Sequence, residues 1–129
     1  MDLNAQLGTV FKIYDQQNIY WGQYLFVNGT LVGWLVVTER PPHLPQILPV
    51  ILIYAVFVVW NMSILRTTYG IRSAAVDELE ALVERTPPLT ERFRTELLRM
   101  QKDDWPRDRM RHLAIDTLVV LFMLWRAAR

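Results

Sequence analysis

Residues 44–65 read LPQILPVILIYAVFVVWNMSIL, twenty-two positions without a charged side chain. A helix of that length rises about 33 Å at 1.5 Å per residue, enough to cross a hydrocarbon core about 30 Å thick. The uncharged stretch between Arg40 and Arg66 covers 25 residues, and a second one between Asp15 and Glu39 covers 23. By contrast, the 46 residues from Arg66 to Arg111 carry 19 of the 27 charges. A mean hydropathy of +0.12 with 21% charged residues averages over this segregation. The 129-residue chain is therefore expected to be an all-α integral membrane protein of at most one ordinary domain.

Working outward, Glu39-Arg40-Pro41-Pro42-His43-Leu44-Pro45 turns the chain before the quoted stretch, since paired prolines cannot continue a helix. Pro45 and Pro49 suit the first turn of the next helix or a kink just inside it. Upstream, Ile19 to Val37 forms a first transmembrane helix, with Tyr20, Trp21 and Tyr24 at one interface and Trp34 near the other. Gly22, Gly29 and Gly33 fall near one face of it, and Gly29-x-x-x-Gly33 has the spacing that lets two helix backbones approach, within the protomer or between protomers. Before it, Leu3, Leu7, Val10, Phe11 and Tyr14 recur at helical spacing, so residues 1–18 are expected as an amphipathic helix. That helix either runs on into the first span or bends at the lipid surface. Asp2, Asn4 and Gln6 interrupt any apolar leader, and no basic segment precedes them, so a cleavable signal peptide is not expected.

Downstream, residues 67–111 read as a helical hairpin. Val76, Leu79, Leu82 and Val83 make an apolar stripe within Ser73 to Arg85, Thr86-Pro87-Pro88 ends that helix, and Thr90 caps a second one carrying Phe93, Leu97 and Met100 up to Lys102. Leu113 to Trp125 is short and contains Asp116, and is expected as a tilted third span, the alternative being a helix lying on the membrane surface. Residues 19–66 then hold the first two membrane helices and 112–129 the third with its tail. Ten of the 14 Lys and Arg residues lie between spans two and three, which puts that loop and the amino terminus in the cytoplasm and the carboxyl terminus on the opposite side.

Chemistry is sparse. With no cysteine, disulfides, thiolate metal sites and cysteine nucleophiles are excluded. His43 and His112 lie on opposite sides of the expected topology, so neither a metal nor any other cofactor is expected. A net charge of +1 gives no footprint for nucleic acid, and no phosphate loop, HExxH pair or nucleophile elbow occurs, so an enzyme is not expected. The informative residue is Asp116, because an ionisable group inside a span is by default a candidate for function. Asn61 and Gln23 lie at a similar depth, and His112 shares its helix face four residues away, with Arg109 nearby. Together with Tyr24 they make either a hydrogen-bonded knot that fixes helix order or part of an ion pathway between copies; Asn28 and Thr30 add polar groups in span one. The expected function is a small non-enzymatic membrane protein that self-assembles and alters permeability, channel-like or membrane-disrupting. The alternative is an accessory or anchoring subunit of a larger membrane complex. Its partners are the lipid bilayer and either further copies or another membrane protein.

Overall fold

A computed structural model describes residues 2–85, 91–99 and 105–129. Among these residues the chain is wholly helical, with α1 at Leu3–Val37, α2 at Leu44–Arg85, α3 at Glu91–Arg99 and α4 at Trp105–Ala127. The Pro87-Pro88 turn, the Thr90 cap, Met100 and Lys102 lie outside the described residues.

α2 and α4 are longer than the sequence reading suggests, α4 starting at Trp105 ahead of the expected Leu113, and α1 takes the unbroken course of the two left open. α1 starts on Asp2, whose side chain accepts a hydrogen bond from the Ala5 amide at 2.7 Å, and runs through residues 15–18 without a break. The amphipathic segment and the first span are thus one rod about 52 Å long. α2 is also continuous: Arg66 ends the apolar run but not the helix, and the expected first arm of the hairpin is its extension to Arg85. No proline follows Pro49 until Pro87, and Gly70 alone is too small a penalty to stop a helix held by a neighbour along its length. At its start the His43 amide donates to the Gln46 side chain at 3.1 Å, one half of a capping box, while Pro45 occupies the first turn, where no amide hydrogen is needed.

The pairings fix the packing. Gln6 reaches Ala75, Gln17 reaches Arg72 and Asn28 reaches Tyr54, so α1 and α2 run antiparallel. Tyr24 meets Asp116 and Leu35 meets Arg126, so α4 runs parallel to α1. α4 packs on both long helices, whereas α3 packs on α2. Two apolar clusters result. Leu35, Ile47, Tyr54, Val119 and Met123 fill one end of the bundle. Val10, Ala75, Val76, Leu79, Val83 and Leu97 fill the other, here called the head.

Exposure is inverted around the first cluster. Phe26, Val37, Leu52, Ile53, Val59 and Leu118 are all at least 67% exposed. Among the described residues one helix, α2, is long and apolar enough to cross a membrane, and only 17% of its most apolar window is buried in the bundle. A core helix of a soluble protein would be covered. α1 and α4 fall short of that standard by composition, because Gln23, Asn28 and Thr30 interrupt α1 and α4 opens with WPRDRMRH and carries Asp116. Three spans are therefore not established by length and hydropathy alone.

Candidate functional site: a buried polar knot

α1, α2 and α4 each turn one polar stripe inward. On α2 the buried positions Ile47, Tyr54, Asn61 and Thr68 recur every seven residues, and on α1 Val10, Gln17 and Tyr24 do the same. This is the repeat of helices that wind about each other, with polar groups at several seam positions. α4 contributes His112 and Asp116, one turn apart.

Asp116 is the hub. Its Oδ1 accepts from the Tyr24 hydroxyl at 2.7 Å and lies 2.8 Å from the Tyr54 hydroxyl, and its Oδ2 lies 2.6 Å from His112 Nδ1. His112 Nε2 in turn lies 3.0 Å from Asn61 Oδ1. Tyr54 also sits 2.6 Å from Asn28 Oδ1, and the Asn28 amide donates to the Tyr24 carbonyl at 2.9 Å. The His112 ring is fully buried, stacked on Tyr24 with centroids 3.9 Å apart, and tilted against Trp21 at 5.6 Å.

Counting hydrogens constrains the centre. Both imidazole nitrogens face oxygen. With Nε2–H donating to Asn61, the short Nδ1 to Oδ2 contact holds one proton, as imidazolium with carboxylate or imidazole with carboxylic acid. Both forms of the pair carry no net charge, so neither buries an uncompensated ion in a region of low dielectric. Among the described residues no buried side-chain nitrogen or oxygen lacks a hydrogen-bond partner. The arrangement can store a proton and lock helix order.

The sequence-derived candidates divide sharply. Asp116, His112 and Asn61 come together, with Asn61 acting through His112. Gln23 does not join them: it is exposed, one position from Tyr24 and so about 100° round the helix. Gly22, Gly29 and Gly33 are also exposed, and a Cβ on any of them would meet nothing within 4 Å. That face is therefore not a contact inside the protomer. The knot residue missed in the sequence is Tyr54, hidden in an aliphatic run. Counting back seven positions from Asn61 would have found it.

Toward the head a second set of polar contacts closes the bundle. The buried Arg72 guanidinium lies over the Tyr14 and Tyr69 rings at 4.9 and 4.6 Å and donates to Gln17 Oε1 at 3.1 Å. Tyr69 donates a short hydrogen bond to Asp108, and its ring packs on Trp105 at 5.0 Å. Burial, followed by that bond to Asp108, pushes the Tyr69 phenol up to about 12. At the opposite end Arg126 donates to the Leu35 and Thr38 carbonyls at 3.0 and 2.7 Å, closing the end of α1. Among the described residues, no three His, Cys, Asp or Glu side chains gather to hold a metal ion.

Compared with known families, curated proteins and solved structures, the chain matches none.

Proposed function

We propose that the chain is a three-span integral membrane protein acting as an accessory or anchoring subunit, with α1, the apolar part of α2 and α4 in the bilayer. The observation that carries this reading is the inside-out pattern of the bundle. Asn28, Asn61, His112 and Asp116 are turned inward and satisfied, while the surface around them is made of exposed Leu, Ile, Val, Phe and Trp. Lipid solvates that surface, and the inward contacts carry the polar residues that lower the hydropathy of α1 and α4. Because the knot is closed within one protomer, it supports a locked scaffold rather than a pore lining. The two unbroken rods then tie the membrane part rigidly to the head.

Self-assembly that alters permeability is the second reading. One observation favours it: Gly29 and Gly33 stand on the outer face with open space beyond them, where a neighbouring helix of another copy fits. In both readings the ten basic residues between the second and third spans support a cytoplasmic head.

Single cysteines test the topology cleanly in a chain that has none. A thiol at Arg94 is expected to label only from the cytoplasmic side and one at His43 only from outside; the reverse pattern refutes the orientation. Ile53→Asp, at a site 71% exposed, is expected to cost about 3 kcal/mol in membrane insertion, and unimpaired insertion refutes the lipid-facing surface. Purification in mild detergent separates the readings: a uniform homo-oligomer that conducts ions in liposomes supports the second, and a monomer that gains stability only with another membrane polypeptide supports the first.

A further inference from the structure

A groove of about 550 Å³ opens between α2 and α4 where the apolar run of α2 ends. One wall is a single stripe of α2, Val59, Met62, Ser63 and Arg66; the other is Trp105 and Arg109, one turn apart on α4. The groove is thus apolar at its span end and doubly cationic at its head end, where Trp105 lies a turn beyond Arg109 against Tyr69. Among the described residues neither arginine has an ion-pair partner. The nearest acid in sequence, Asp108, is engaged by Tyr69, Arg107 and Arg111. Two like charges facing one groove make it electropositive and suited to an anion.

We propose that this groove is a binding site for an anionic phospholipid, whose phosphate headgroup lies between Arg66 and Arg109 and whose acyl chain runs down Val59 and Met62. The inference rests on the three-span reading, which sets Arg66 at the level of the headgroups. Charge and polarity select the occupant together. A free phosphate would satisfy the guanidinium groups but leave the 71% exposed Val59 wall uncovered, whereas a zwitterionic lipid brings a cation toward two arginines. Ser63 adds a hydroxyl on the same wall. Arginine pairs of this kind between membrane helices are suited to lipid phosphates, each basic group contributing a several-fold preference.

The test is lipid retention by native mass spectrometry on full-length protein from bilayers of equal phosphatidylglycerol and phosphatidylcholine. Carbonate extraction runs in parallel. The expected result is about tenfold enrichment of phosphatidylglycerol adducts over phosphatidylcholine, lost in R66Q/R109Q and kept in R92Q, whose arginine is exposed on α3 away from the groove. Glycerol 3-phosphate in excess leaves the adducts in place. Equal retention of the two lipids by inserted wild-type protein, or unchanged enrichment in R66Q/R109Q, overturns the site while leaving the three-span reading intact. Displacement by glycerol 3-phosphate overturns a lipid occupant in favour of a soluble phosphate. Wild-type protein that carbonate extracts overturns the three-span reading, and the lipid site with it.

Discussion

The two ends of the bundle are built from the same helices with opposite rules. In the head, Leu79, Val83 and Leu97 are buried and Asp77, Glu84, Arg92, Arg94 and Glu96 face outward. In the span part, Asn28, Asn61, His112 and Asp116 are buried and Phe26, Ile53, Val56 and Leu118 face outward. Nothing in the backbone marks the change, since α1 and α2 pass through both regions unbroken. What changes is the solvent for which each surface is suited. Burial of apolar area holds the head together; under the proposed three-span reading that drive is nearly absent in the other half, where packing and inward hydrogen bonds take over.

The largest effect is expected from breaking the hub. Asp116→Leu leaves the Tyr24 and Tyr54 hydroxyls and His112 without their shared acceptor and should cost about 4 kcal/mol in detergent unfolding, whereas Asp116→Asn keeps one acceptor and should cost about 1 kcal/mol. Equal costs would mean that size rather than hydrogen bonding holds the knot. Leu79→Ala should cost about 2 to 3 kcal/mol through a cavity in the head. Hydrogen exchange should localise that loss to residues 70–85 and leave the span amides protected; a uniform loss would show that the two halves unfold as one.

A smaller effect follows from Tyr69, which joins the halves. Its folded phenol titrates near 12 against an ordinary value of 10.0, so the folded chain keeps a proton that the unfolded chain gives up. Its stabilisation is full below pH 10 and lost as pH rises through 12. The stability gap between wild type and Tyr69→Phe, about 1 kcal/mol at pH 8, should therefore shrink by pH 11.5. The smallest effect belongs to the outer glycines. Gly29→Leu and Gly33→Leu should change the stability of an isolated protomer by less than about 0.5 kcal/mol, since each new side chain enters open space. Any loss of oligomers on the same variants then reports a contact between copies alone.

Charge segregation made the helices and the exposed apolar stretch around Val50 to Trp60 legible in the sequence, because long uncharged runs have few other uses. Depth along the chain also brought Asp116, His112 and Asn61 together. Direction was harder to read. Gln23 and Tyr24 are adjacent and at the same depth, yet one is exposed and the other fully buried, and only the seven-residue repeat through Gln17 and Tyr24 tells them apart. Continuity was obscured by composition: the change from apolar to charged at Arg66 suggested a helix boundary where only the surroundings change. A polarity border is not a hydrogen-bond border, and α2 crosses the first without meeting the second.

Arg126 gives the bundle an order of assembly. The carbonyls of Leu35 and Thr38 take a donor 91 and 88 residues further along the chain, and the Tyr24 hydroxyl takes Asp116 on the same late helix, whereas the Tyr54 hydroxyl already has Asn28 on α1. α1 and α2 hold their own polar contact through Tyr54 and Asn28, and α4 supplies the remainder. The last helix thus acts as a completion seal: without it the Tyr24 hydroxyl and the Leu35 and Thr38 carbonyls lack the partners they have in the finished bundle.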